Sequence, residues 1–202
     1  TAMDGMFYQS QFDSPINTWD VSSVKTMQEM FMNGAFKQSL AGWNTSNVEN
    51  MRSMFSGTSF NASLAGWNTG KVTDMGKMFS NNAVFDQPVN HFNVSSVADM
   101  GSMFAGASIF NQQLNAWDTR NVEILSSMFS NARLFNQPVG SWNTAKATTM
   151  NSMFSGAQAF NQPIGSWNTG LVTNMADMFN DARAFNQSVG TWQTGNVTDM
   201  AR

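Results

Sequence analysis

Cysteine is absent from these 202 residues, and histidine and tyrosine occur once each. Without cysteine there is no Cys–His nucleophile and no disulfide, and the absence suits an oxidising or a reducing location equally. A single His91 leaves no Ser-His-Asp pattern, and no Gly-rich phosphate loop is visible. Charged residues are only 11% of the chain, so Asn, Gln, Ser, Thr and Gly do the solvating. The net charge of −3 supplies no basic field and argues against nucleic acid as a partner. No apolar run approaches the roughly 20 residues of a membrane span. The paired-glycine, Asp-bearing calcium nonapeptide of some repeat proteins is missing too. No cofactor or metal is implied, and the spacing points to a non-enzymatic protein.

What the chain has is repetition. One column reads Trp19, Trp43, Trp67, Phe92, Trp117, Trp142, Trp167, Trp192, in steps of 24, 24 and then 25. A second reads Phe7, Phe31, Phe55, Phe79, Phe104, Phe129, Phe154, Phe179. Self-similarity at this period is the signature of stacked repeats, none of which buries its apolar face alone. No linker, charge block or change of composition interrupts it, so residues 1–202 are expected to form one domain. Thr1-Ala2-Met3 falls in register with Thr198-Asp199-Met200, which reads as a piece of a longer chain or as ends covered by something else.

Within a repeat, Val172, Met175, Met178, Phe179 and Ala182 are spaced as one stripe of a two- to three-turn helix. Gly57, Gly106 and Gly156, or Asn33, Asn81, Asn131 and Asp181, stand where a left-handed residue would end it. Phe160-x-Gln162-x-Ile164 alternates as a short strand, shortened by Pro163 and its equivalents. Stacked strands would lie about 4.8 Å apart. The expectation is a right-handed α/β solenoid of about eight repeats, one short helix and one short parallel strand in each.

The Met columns suit a core better than a copper site, since Leu125 replaces one Met without disturbing the pattern. The Trp column reads as an apolar wedge rather than a sugar-stacking strip, because Phe92 keeps the ring and loses the N–H. The Gln column reads as a ladder of stacked amides. Two polar columns remain as candidates for an exposed binding surface. They are Asn111, Asn136, Asn161 and Asn186, and Thr119, Thr144, Thr169 and Thr194; solvation alone also accounts for them.

The unit Phe-Asn-Gln … Trp-[Asn/Asp] … Val-x-x-Met-x-x-Met-Phe resembles the repeat of BspA-type leucine-rich-repeat surface proteins, abundant in Mycoplasma and Listeria surface lipoproteins, over essentially the whole chain. The resemblance implies a leucine-rich-repeat-like coil at an extracellular cell surface, acting as an adhesion or ligand-binding module toward a protein or glycan. It supplies no catalytic residues. The alternative is a structural protein whose units self-associate end to end into a filament or surface layer.

Overall fold

Each peptide N–H in the Met-Phe segment has two ways to find an acceptor: within its own repeat, as a helix would, or on the next. In the computed structural model, which describes residues 1–201, the two alternate along the chain. The N–H groups of Met27, Glu29, Phe31 and Asn33 donate to the carbonyls of Asn50, Arg52, Met54 and Ser56, one repeat further on, at 2.8–3.1 Å. Met30, Met32 and Gly34, each one residue after such a donor, donate three residues back, to Met27, Glu29 and Phe31. The pattern recurs in repeat after repeat.

The expected α/β solenoid is therefore overturned: the described residues contain no helix and no strand beyond isolated single-residue bridges. A helix needs every N–H turned back four residues along right-handed backbone. Here two residues per repeat are left-handed, such as Glu29 and Asn33 (φ 57° each) or Ser53 and Gly57 (φ 56° and 67°). Each turns its N–H outward to the next repeat. Left-handed backbone costs a non-glycine residue roughly 1–2 kcal/mol, and the inter-repeat bond made there offsets it. Apolar residues three apart fit a chain of three-residue-back turns as well as they fit a helix. Turns of this kind close at Ile164–Trp167, Thr169–Val172, Met175–Met178, Phe179–Ala182 and Ala182–Phe185, and their corners place the apolar side chains inside.

The expected strand at Phe160–Ile164 is also absent. Parallel pairing is limited to one residue per interface, from Ala2↔Thr26 to Asn174↔Asp199, at the start of the segment expected to be helical. Arg202, the last residue of the expected domain, lies outside the described residues.

The core is a set of columns along the stack. Trp43, Met54, Phe55, Phe60 and Leu64 are at most 2% exposed, as are most of their interior equivalents. Neighbouring rings of the Phe31–Phe179 column stand 5.6–5.9 Å apart and nearly parallel, wider than paired strands would set them. A second ring lies against each, as Phe135 does on Phe129 at 3.9 Å. The Met columns fill the space beside the rings and are fully buried from Met27 to Met153.

Candidate recognition surface

The Asn column replaces the missing strand. Asn111 Oδ1 accepts the backbone N–H of Asn136 at 2.9 Å and the side-chain amide of Gln137 at 3.1 Å. Asn136 does the same for Asn161 and Gln162, and Asn161 for Asn186 and Gln187. Side-chain oxygens thus do what strand carbonyls would, and every position of the column that accepts such a bond is Asn or Asp; Lys37, which has no oxygen to offer, interrupts it. Asn111 and Asn186 are exposed, while Asn136 and Asn161 are half-buried.

Asp13 takes the same position in the first repeat. The backbone N–H of Lys37 on its carboxylate, at 2.9 Å, is the chief cause holding its pKa below the usual 3.8. A depressed carboxylate stabilises the fold above its unfolded pKa, and that contribution is lost as the pH falls through the lower folded value. On acidification, the amide signal of Lys37 is therefore expected to move with the titration of Asp13 in an NMR series.

The Thr column lies elsewhere. Thr119, Thr144 and Thr169 are 0–3% exposed, and only Thr194, on the last repeat, is exposed. They are core residues, which corrects the expected exposed column. Each hydroxyl donates to a carbonyl of the next repeat: Thr119 to Asn143 at 3.0 Å, Thr144 to Asn168 at 2.9 Å, Thr169 to Gln193 at 3.0 Å. Val21 and Val94 fill the same slot at 1% exposure, so shape is satisfied without the hydroxyl. Thr119→Val should then lower stability by about 1 kcal/mol through the lost bond alone, read as a small fall in the urea midpoint.

The interior Trp side chains are 2–4% exposed, so their faces offer no platform to a sugar. Each indole N–H donates to a carbonyl one repeat back, Trp67 to Leu40 at 3.3 Å and Trp117 to Val89 at 3.0 Å. The carbonyl left over by Phe92 is that of Leu64, and His91 Nε2 lies 3.0 Å from it. The single histidine is a replacement for the missing indole. A carbonyl acceptor requires the tautomer with the proton on Nε2. His91→Ala should cost about 1 kcal/mol, and adding Phe92→Trp to that variant should restore the loss in chemical denaturation.

No group of His, Asp or Glu among the described residues is arranged to hold a metal ion. Asp74 and Asp99, on neighbouring repeats, share the Arg52 guanidinium at 3.4 and 2.6 Å.

A different exposed row went unread in the sequence. From the fourth repeat on, one extra residue separates the two core rings: Phe31 and Phe36 are five apart, Phe79 and Phe85 six. At that insertion stand Val84, Ile109 and Leu134, on three consecutive repeats and 40%, 41% and 53% exposed. The switch in step from 24 to 25 was the visible signal. Beside the row is an open recess of about 500 Å³, lined by Asn81, Ala83, Gly106, Ser108, Asn131 and Arg133 among others. Within its lining the side chain of Asn81 folds over Gly106 (φ 73°), where a Cβ would come within 2.6 Å of Asn81 Oδ1. The Arg133 guanidinium makes no hydrogen bond or ion pair among the described residues, although the backbone carbonyl of Arg133 accepts the N–H of Ala159 at 3.0 Å. The equivalent Arg183 is held by Asp181 at 2.7 Å, and that bond is the chief cause of the low Asp181 pKa. Where Arg183 has an aspartate as neighbour, Arg133 has the neutral Asn131.

Turn-built repeats stacked on shared side-chain columns define this as a repeat protein. The chain belongs to the family described as Mycoplasma protein of unknown function, DUF285, whose sequence profile matches residues 1–65, 33–133, 58–159 and 112–202. No curated protein and no solved structure matches it.

Proposed function

We propose that this chain is a non-enzymatic, extracellular cell-surface protein that works as an adhesion or ligand-binding module. The observation that carries this reading is the row Val84, Ile109 and Leu134, aliphatic side chains at 40–53% exposure at the same position of three consecutive repeats. Exposed apolar rows rimmed by polar groups mark contact sites for other molecules. The resemblance to BspA-type surface proteins, some of which adhere to host or matrix, supports the same reading. The stack supplies fixed spacing, and the residue at the insertion varies from repeat to repeat while the ring columns hold: Val84, Ile109, Leu134, Ala159 and Ala184 precede the core ring in turn.

The test has two parts. Protease added to intact cells that carry the protein should remove it, and the purified 202-residue chain should bind immobilised matrix proteins or glycans. A chain that protease on intact cells never reaches, and that binds no such surface, would end this reading.

A further inference from the structure

From the row and the recess beside it, we propose a more specific partner: an extended protein segment that lies along the stack, with aliphatic residues at alternate positions and a carboxylate at one end. This rests on the reading of the chain as a binding module.

Three observations converge. The first is spacing. The rings beneath the row, Phe85, Phe110 and Phe135, are 6.0 and 6.1 Å apart. In an extended chain, side chains on one face recur every two residues, at about 6.6–6.8 Å. Residues i, i+2 and i+4 of such a segment would fall over Val84, Ile109 and Leu134 in turn, with a mismatch of only about 1.3 Å accumulated over the two steps by that rise.

The second is charge. Arg133 adjoins Leu134 in the chain, lines the recess and has no partner, whereas Arg120 and Arg183 are paired with Asp118 and Asp181 at 2.8 and 2.7 Å. Its charge contributes only the last-named cause in lowering Asp181, which Arg183 already binds. A free guanidinium beside a neutral amide, Asn131, suits a carboxylate with two acceptor oxygens.

The third is the hollow itself. It is an open recess of about 500 Å³, lined by Asn81, Asn131 and Arg133 among others, in which a carboxylate side chain or chain terminus can sit. The lining offers the hydroxyl of Ser130 and the amide of Asn131, which already meet at 3.3 Å. A glycan is disfavoured, because the exposed row is aliphatic and the interior indoles are buried.

The experiment is selection from a displayed library of random nine-residue peptides on the full chain, followed by anisotropy with one selected peptide. Selected sequences should carry aliphatic residues at i, i+2 and i+4 and Asp or Glu toward one end. Arg133→Gln should weaken the peptide at least tenfold, and should make exchange of its acid for the amide inconsequential. Ile109→Ser should weaken it similarly. Both positions are exposed, and unchanged near-ultraviolet circular dichroism would confirm that the variants fold.

Enrichment of peptides without the alternation or the acid would overturn the proposal. So would full affinity in Arg133→Gln, or a chain that binds glycans and selects no peptide. If the chain adheres to a surface and the Val84→Ser, Ile109→Ser, Leu134→Ser triple variant adheres equally well, this segment-binding site is refuted and the adhesive reading stands. If no surface is bound by either chain, the adhesive reading falls with it.

Discussion

Phe129→Ala is expected to destabilise the chain by about 3–5 kcal/mol, the range for removing a fully buried ring whose site cannot collapse. Phe129 is 0% exposed and touches four rings: Phe104 and Phe154 along its column at 5.9 and 5.6 Å, Phe135 at 3.9 Å and Trp142 at 6.1 Å. Collapse is resisted because the backbone on either side is fixed by N–H groups bonded to the next repeat, such as Phe129 to Met153 at 2.9 Å. Phe179→Ala should cost clearly less, since Phe179 is half-buried. It stacks along the column on Phe154 alone, at 5.9 Å. Thermal and urea melts of the two variants beside the parent decide this. Equal losses at the two positions would show that the stack does not behave as a sum of neighbour interfaces.

Gly57→Ala should cost about 2–3 kcal/mol, combining left-handed backbone for a residue with a Cβ and an overpacked contact. Gly57 has φ 67°, and an added Cβ would run into the side-chain amide of Asn33 on the preceding repeat. The same pairing recurs with Asn81 against Gly106 and Asn131 against Gly156. This column alternates Asn33, Gly57, Asn81, Gly106, Asn131, Gly156, Asp181, so one repeat supplies a side chain that folds over the next, which has none. Asn33→Gly should therefore rescue most of the steric part of the Gly57→Ala loss, leaving about 1 kcal/mol for the backbone alone. A double-mutant cycle with no coupling between the two sites would contradict this dovetail.

The Asn and Gly of that column show how far the sequence could be read. Their preference for left-handed backbone was legible, and the structure does hold them left-handed. Their place was misjudged, because from the second repeat to the seventh the first left-handed residue is Glu29, Ser53, Lys77, Ser102, Ser127 or Ser152, side chains that advertise no such conformation. With only the second one visible, Met27-x-x-Met30-Phe31 looked like the stripe of a helix ending at Asn33. The buried columns were legible because a ring that recurs at a fixed step has to stack on its copies.

The strand failed for a different reason. Alternation at Phe160, Gln162 and Ile164 is real, but the hydrogen bonds there run through Asn side chains, and periodicity does not distinguish a carbonyl of the backbone from one on a side chain. For the Thr column, polarity suggested exposure, whereas Thr119, Thr144 and Thr169 spend their hydroxyls on the next repeat. The row at Val84, Ile109 and Leu134 was within reach: the lengthened step marks where an extra residue has to bulge out of an unchanged core.

The direction of the backbone bonds has a mechanical consequence. Because the left-handed residues and their alternate neighbours bond to the following repeat, the bonds joining repeats lie along the line of stacking. Tension applied along that line loads one interface at a time and opens it by peeling, without first having to melt a helix or shear a long strand. Each repeat released would lengthen the chain by about 80–90 Å, from 24 or 25 residues at about 3.3–3.6 Å each. A protein tethered between two moving bodies would then pay out in equal steps and rewind by re-forming the same interfaces, behaving as a graded extensible spring.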